Sequence, residues 1–525
     1  MCLMLVNRQG PTFYMMLNLS FNGFMKSLIF FFTFMLFISK TAICHVNPDL
    51  ILLEGPGLRP DLIVMPARYF YIYLYGKQHA QSYPGASSDV KVDITGTNIY
   101  GRNCRIWTNI FDRKDGSLIV RYKLYETCYD MEITVKYKGR NVDASPYKIN
   151  GTIQAEDCNC PIPLEDWLHN NNCPSSHSQI MSDLEPFPTV NFSTFHSHVV
   201  KKVDKSGSMS VCNYAILNNK IYRRCYGQHV GFKTFVDAIL TSLARKIELP
   251  NMEMFVNLGD WPLVSKHAKD LFPLFSWCGS TSSLDIVMPT YDITESSLEA
   301  MGRVSLDMLS VQGNIDIPWE KKEPKAFWRG RDSSPERLKL IEIARSHPDL
   351  FNCSMTNFFF YRDQEHIYGP KEKHISFFKF FDYKYQLCLD GTVAAYRLPY
   401  LLAGDGLVLK QDSEYYEHFY GSLIPWQHYV PVKRDLSDLV ERVRWARNHD
   451  QQARDIVSAA QQLARSSLLP QDIFCYHTVL FKEWSKRLVE EPQLRRGMEE
   501  VPQIKSEHCK CSGRSDLNAE AHDEL

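Results

Sequence analysis

The 525-residue chain is predicted to fold as an immunoglobulin-like β-sandwich followed by two α/β lobes. Three observations predict this: short alternating strands near the N-terminus, helices alternating with apolar strands from about residue 211, and a length too great for one core. Alternating β and α elements indicate parallel sheets with crossover helices. We divide the chain into residues 1–43, 45–152, 153–210, 211–490 and 491–525.

Residues 1–43 are predicted to be a leader that contains a signal peptide. Lys26 precedes an apolar run over residues 27–38, and small residues follow it. A positive residue, a short apolar core and a small-residue exit are typical of secretory signals. The run is shorter than the roughly 20 apolar residues of a membrane span, so we expect no stable span. An uncut signal anchor is the alternative.

The polar tail, residues 491–525, ends in a predicted retrieval signal of the endoplasmic reticulum: His522, Asp523, Glu524 and Leu525. Together the two termini predict a protein of the endoplasmic-reticulum lumen that binds the retrieval receptor. The 59 basic and 60 acidic residues balance, which argues against a general nucleic-acid binder.

The 15 cysteines fit that oxidising compartment. Two pairs that are close in sequence are plausible disulfides: Cys104 with Cys128, and Cys212 with Cys225. Two further pairs could ligate a metal, but disulfides are favoured in this compartment: Cys158 with Cys160, and Cys509 with Cys511. His196 and His198 have no third ligand at a convincing spacing, so we predict no metal site.

Three sequons, at Asn150, Asn191 and Asn352, can carry N-glycan if they are exposed. Asn352 is the weakest candidate, because a disulfide at Cys353 could compete with glycosylation.

Residues 45–152 are predicted to form the sandwich. Residues 68–75 are aromatic and β-branched, residues 90–94 alternate in polarity, and Asp115-Gly116 predicts a hairpin turn. Residues 153–210 are rich in cysteine and proline, and we expect them to connect the sandwich to the lobes. In the lobes we predict helices over residues 232–246, 337–345 and 436–465, and strands over 254–258 and 406–409.

The segment 327–338 predicts a strand, a glycine turn and the start of a helix. Ser333 or Ser334 can cap that helix, with Glu336 completing a capping box. A helix N-terminus attracts anions, and guanidinium groups bind phosphate oxygens in a bidentate way. Three arginines lie in this segment: Arg329, Arg331 and Arg337. A diphosphate is therefore the expected ligand; an ordinary capped surface helix is the alternative.

Two other segments add functional groups. Asp260 follows a buried strand and could act as a general base, although an aspartate that serves a turn is the alternative. Residues 390–396 follow another strand, and their small side chains allow close approach of a ligand. Arg397 comes next, so Arg337 and Arg397 could clamp one diphosphate; a surface salt bridge is the alternative for Arg397.

Over about residues 155–490 the chain resembles the Rumi-like, capsule-associated-protein-type protein O-glucosyltransferases. The segments that carry the resemblance are residues 257–262, 327–338, 383–400, 415–420 and 425–432. The N-terminal domain, residues 45–152, resembles a filamin repeat in residues 55–58, 112–117 and 135–139. This filamin-like domain and the C-terminal retrieval signal narrow the resemblance to the members of the family that contain a KDEL motif.

The resemblance implies a glycosyltransferase B fold with UDP-glucose or UDP-xylose as donor. It implies transfer to serine in epidermal-growth-factor-like (EGF-like) repeats of secreted or cell-surface proteins, including Notch-type and matrix proteins. Asp260 matches the family's base. The implied donor contacts are Arg331, Ser334, Arg337, Thr392, Val393, Ala394, Ala395, Tyr396 and Arg397.

The chain departs from the family in two places. Relatives can have serine where this chain has Arg331, so that hydroxyl contact is lost or passes to Ser333 or Ser334. Residues 278–292 match only loosely and are expected to help recognise acceptor or sugar.

We expect inverting transfer without a metal. The alternatives are a non-catalytic lumenal client-binding protein and a xylosyltransferase of the same fold.

Overall fold

The structure is a computed structural model that describes residues 46–74, 86–142, 145–299, 307–314, 316–504, 509 and 511. The predicted signal peptide and the retrieval tetrapeptide lie outside these residues. None of the helices described is both long and apolar enough to cross a bilayer.

The sandwich consists of two antiparallel sheets. Its strands are β1 (Leu52–Glu54), β2 (Arg68–Tyr73), β3 (Val90–Thr97), β4 (Ile106–Asp112), β5 (Ser117–Leu124), β6 (Cys128–Tyr137), β7 (Arg140–Asn141) and β8 (Tyr147–Ile153). One sheet has the order β1-β2-β5-β4, and in the other β3, β7 and β8 pair with β6. The predicted β4–β5 hairpin is confirmed, with Lys114 and Gly116 at φ 61° and 84°.

Residues 153–210 do more than connect domains, which corrects the expectation from sequence. They form helices α1 (Leu164–Asn170), α2 (Ser178–Leu184) and α3 (Phe192–Val203). Trp167, Leu184 and Val199 lie in the same core as the first lobe. Ile180 with Leu184, and Val199 with Val203, recur at helical spacing and give α2 and α3 an apolar face that packs into this core.

The first lobe contains a six-stranded sheet of order β14-β12-β11-β9-β10-β21, in which β21 is Glu499–Glu500. Its elements are β9 (Val211–Leu217), β10 (Lys220–Tyr226), α4 (Lys233–Ala244), β11 (Met252–Asn257), β12 (Phe275–Ser276), β13 (Gly279–Ser280), which pairs outside this sheet, β14 (Ile286–Val287) and α5 (Tyr291–Leu298). The prediction of a parallel sheet is wrong here, because β9 and β10 form a hairpin and β9 also pairs antiparallel with β11. Asn218 and Asn219 make the hairpin turn at φ 50° and 63°, which favours a two-residue loop.

The second lobe contains an all-parallel sheet of order β16-β15-β17-β18-β20, as predicted. Its elements, after the linking helix α6 (Met308–Gly313), are β15 (Glu323–Arg331), α7 (Pro335–Ser346), β16 (Phe351–Asn357), α8 (Glu365–Tyr368), β17 (Tyr383–Cys388), α9 (Leu398–Ala403), β18 (Leu407–Gln411), β19 (Tyr415–Tyr416), β20 (Val430–Val432), α10 (Leu439–Asn448) and α11 (Asp450–Ser467). The predicted helix over 436–465 is thus two helices, which break at His449 (φ −126°, ψ 52°).

The chain then returns to the first lobe through α12 (Pro470–Ser485) and β21 (Glu499–Glu500). Trp484 donates to the Glu253 carbonyl, and β21 extends the sheet beside β10. Part of the predicted polar tail is therefore structural. Five disulfides join the described residues: Cys104–Cys128, Cys158–Cys509, Cys160–Cys511, Cys173–Cys475 and Cys212–Cys225.

Candidate active site

A cleft of about 490 Å³ lies between the two lobes. Asp260, Tyr291 and Asp292 line it from the first lobe. The second lobe lines it with Arg329, Gly330, Arg331, Ser333, Arg337, Thr356, His374, Ile375, Phe377, Phe380, Gly391, Thr392, Val393, Ala394, Ala395, Tyr396, Arg397 and Tyr400. The structure thus brings together the three segments singled out in the sequence, and of the predicted residues only Ser334 does not line the cleft.

Asp260 is presented by the loop after β11. The Asn257 side chain folds this loop, since its Oδ1 accepts from Gly259 N–H at 2.9 Å and its Nδ2 donates to the Trp261 carbonyl at 2.6 Å. Asp260 is half-buried, and its Oδ1 lies 3.5 Å from the Tyr291 hydroxyl. Burial raises the pKa of Asp260, while the Tyr291 hydroxyl and the Arg331 charge partly offset that rise. A raised pKa suits a group that must accept a proton.

Arg337 is engaged by the protein itself. It donates to the carbonyls of Asp390 (2.8 Å), Arg331 (3.0 Å) and Leu389 (3.0 Å), and to Ser333 Oγ (3.2 Å). Its fork therefore holds two loops together, which corrects the expectation of a free bidentate clamp. Burial, and then the Arg397 charge, lower the pKa of Arg337 to about 9, so the group stays cationic at neutral pH.

Gly391 allows the two loops to approach this closely. A Cβ on Gly391 would lie 3.2 Å from Arg337 Nη2 and 3.3 Å from Ser333 Cβ. The lack of a side chain therefore leaves room beside the guanidinium at the wall of the cleft.

The predicted capping box is wrong. Ser334 is the N-cap of α7, but its side chain makes no capping hydrogen bond. Its hydroxyl donates to the Asp390 carbonyl instead, and Ser333 Oγ accepts from Arg337. Ser333, not Ser334, reaches the cleft.

Arg397 and Arg331 approach the cleft from different loops. Arg397 is the N-cap of α9, and its Nη1 donates to the Arg329 carbonyl at 2.7 Å. The guanidinium carbons of Arg337 and Arg397 lie 5.4 Å and 6.0 Å from the centre of the buried Trp328 ring. Burial lowers the pKa of Arg397. Arg331 is exposed at the mouth, where its charge acts on Asp260.

Asp292 is a second carboxylate in the cleft that the sequence reasoning did not single out. It lies in the first turn of α5, directly after β14. Burial, reinforced by Glu295, raises the pKa of Asp292 to about 6 against the opposing charge of Arg397. The signal that could have found it is its position at a helix start after a buried strand, where sheet-edge ligand sites occur.

The three predicted glycosylation sites differ in how accessible their asparagine side chains are. Asn150 and Asn191 are exposed. The Asn352 amide is used internally, since its Nδ2 donates to the Tyr383 hydroxyl and its Oδ1 accepts from Arg329. It is therefore a poor glycan acceptor.

The other chemical motifs serve structural contacts. His196 bonds to Asn213, whereas His198 lies 3.8 Å from Asp270. Cys353 carries a free thiol. Among the described residues no three His, Cys, Asp or Glu side chains are grouped to hold a metal ion.

Comparison with known proteins places this architecture and cleft in a class of enzymes. Residues 168–521 match Glycosyl transferase family 90, and the chain belongs to this family. It is therefore a glycosyltransferase, and its two α/β lobes around one cleft confirm the predicted fold. Residues 45–148 match the Filamin/ABP280 repeat, which agrees with the sandwich.

The chain is similar to proteins that carry the name protein O-glucosyltransferase. Protein O-glucosyltransferase 2 of Danio rerio is 49% identical over 466 residues, which cover 88% of this chain and 92% of the relative. Protein O-glucosyltransferase 3 of Homo sapiens is 43% identical over 459 residues, covering 86% and 90%. Protein O-glucosyltransferase 1 of Homo sapiens is 31% identical over 352 residues, covering 63% and 85%.

Proposed function

We propose that the chain transfers glucose from UDP-glucose to a serine of EGF-like repeats, with Asp260 as general base. The observation that carries the proposal is a half-buried carboxylate on one lobe that faces cationic groups on the other across a single cleft. The names of the relatives support transfer of glucose to protein.

The second lobe is the donor side. Arg331 and Arg397 bind the diphosphate, helped by the N-terminal N–H groups of α7, and Arg337 supplies a fixed positive charge behind them. Residues 392–395 have short side chains, so their backbone comes close to the ligand. A cleft of about 490 Å³ lies within the usual range of ligand pockets, roughly 300–1,000 Å³.

Transfer then proceeds by inversion. Asp260 accepts the proton of the serine hydroxyl, and the serine oxygen attacks the anomeric carbon from the face opposite the diphosphate. The bond from that carbon to the phosphate oxygen breaks, and UDP leaves with the electron pair. Arg331, Arg397 and the α7 N-terminus stabilise the charge that develops on UDP. The Tyr291 hydroxyl, 3.5 Å from Asp260, orients the carboxylate.

We place this activity in the lumen of the endoplasmic reticulum. The five disulfides fit an oxidising compartment. The terminal His522-Asp523-Glu524-Leu525 would return the protein through the retrieval receptor.

The test is mass spectrometry of folded EGF-like repeats after incubation with the purified protein and equal amounts of UDP-glucose and UDP-xylose. The proposal expects a hexose on serine. A pentose on the same serine would indicate that the donor is UDP-xylose and not UDP-glucose. No added mass on any repeat would support the non-catalytic alternative.

A further inference from the structure

Over the residues that the structure describes, the chain crosses between the two lobes twice, and the sandwich contacts both crossings. The first crossing runs from α5 to β15 and contains α6. The second runs from α11 to α12. The hairpin between β4 and β5 of the sandwich packs where these crossings meet. The angle between the lobes depends on these crossings, because they connect the two sheets.

One polar cluster joins the hairpin to both crossings. Gln312 Oε1, on α6, accepts from Arg113 Nη1 of the sandwich at 3.3 Å and from Arg465 Nε of α11 at 3.2 Å. Asp115 Oδ2 accepts from Arg465 Nη1 at 3.0 Å, and Asp115 Oδ1 lies 3.9 Å from Arg113 Nε. Gln312 and Arg113 are only 2% and 7% exposed. One buried guanidinium group, of Arg113, and one partly buried guanidinium group, of Arg465, thus share one amide oxygen and one carboxylate.

A second set of contacts fixes α6 against the sandwich. Arg121 forms a buried ion pair with Asp307, which is the N-cap of α6. At the other end of α6, a Cβ on Gly313 would lie 2.2 Å from Phe111 Cβ. The helix therefore rests directly on β4, and a side chain at this position would push the sandwich away.

The cluster is connected to the cleft through α9. This helix packs on both α6 and α11, and it begins directly after Arg397. A change in how α6 and α11 meet therefore moves Arg397, on the second lobe, relative to Asp260 on the first.

We propose that Arg113, Asp115, Gln312 and Arg465 are positioning residues that set the angle between the lobes. They hold the transferred sugar within reach of Asp260. The sandwich is thereby a working part of the transferase, beyond any role in binding clients. The activity measurement rests on the proposed function, whereas the shape measurement does not.

The test compares Asp115→Asn, Gln312→Met and Arg465→Lys in the full chain with Lys138→Met. Lys138 forms an exposed ion pair with Asp89 in the same sandwich, so its loss leaves the crossings untouched. Donor contacts lie on the second lobe, so the variants should bind UDP within about twofold of the wild type by calorimetry, while kcat falls roughly tenfold or more through misplacement of the base. Lys138→Met should match the wild type in both UDP binding and kcat.

Small-angle X-ray scattering gives a readout that needs no acceptor. Asp115→Asn should show a larger radius of gyration than the wild type, and this holds even if the wild type transfers no glucose. Unchanged kcat and scattering would overturn the proposal. A parallel loss of UDP binding and kcat in all three variants would overturn it too, since that pattern indicates general destabilisation. Arg465→Lys keeps the charge, so it serves if the other two variants do not fold.

Discussion

Replacing Arg337 by lysine tests how the donor side of the cleft is built. The guanidinium donates to three backbone carbonyls and one hydroxyl, and the residue is 6% exposed. A lysine ammonium keeps the charge but cannot span these acceptors, so two or three hydrogen bonds are lost. Each such bond contributes about 1–2 kcal/mol, so Arg337→Lys should lower the free energy of unfolding by about 2–6 kcal/mol.

The assay is urea unfolding followed by tryptophan fluorescence, with the UDP dissociation constant measured by calorimetry. Arg345→Lys is the matched control, because Arg345 lies on the same helix and also donates to backbone carbonyls, but at an exposed position. The free energy of unfolding of Arg345→Lys should stay within about 0.5 kcal/mol of the wild-type value. The reasoning is refuted if the two variants unfold alike and Arg337→Lys binds UDP as tightly as the wild type.

Three further predictions concern glycans, pH and metal. In protein purified from eukaryotic cells, Asn150→Gln and Asn191→Gln should each lose one glycan by intact mass, whereas Asn352→Gln should lose none; a glycan at Asn352 would contradict its internal bonding. Burial raises the pKa of Asp292 to about 6. The protonated carboxyl group therefore stabilises the folded state fully below pH 4, and this stabilisation is lost as pH rises through 6. Between pH 4 and 8, the free energy of unfolding of Asp292→Asn should therefore rise by up to about 3 kcal/mol relative to that of the wild type, as measured by urea unfolding. A pH-independent difference between the two proteins would contradict this. Since cationic side chains stabilise the leaving UDP, transfer should persist in EDTA, and complete loss with rescue by manganese would refute that reasoning.

Much of the fold follows from local patterns. The Asp115-Gly116 turn, the alternation along β6 and the parallel second sheet are all visible in the sequence, because each depends on neighbouring residues. The mixed first sheet does not follow from the alternation of helices and strands, because the β9–β10 hairpin depends on a two-residue turn, Asn218-Asn219. The break at His449 has no glycine or proline to mark it. Contacts of Asp450 with Trp319 and Lys384, which are distant in sequence, accompany it.

The candidate site was predictable where a charged group follows a strand. Asp260 follows β11, Arg331 ends β15, and Arg397 lies at the end of the loop after β17; the cleft brings all three together. The engagement of Arg337 could not be foreseen, because two of its acceptors are backbone carbonyls 52 and 53 residues away and backbone atoms carry no sequence signal. For the same reason the family resemblance implies a ligand contact for Ser334, whereas its hydroxyl donates to a carbonyl of the neighbouring loop.

The measurement that tests the central claim most directly is transfer and UDP binding by Asp260→Asn. The change removes the base from the first lobe and leaves every donor contact on the second lobe in place. The account predicts a loss of about 10²–10⁴-fold in kcat with an unchanged UDP dissociation constant. Wild-type transfer by this variant, or loss of UDP binding together with activity, would contradict it.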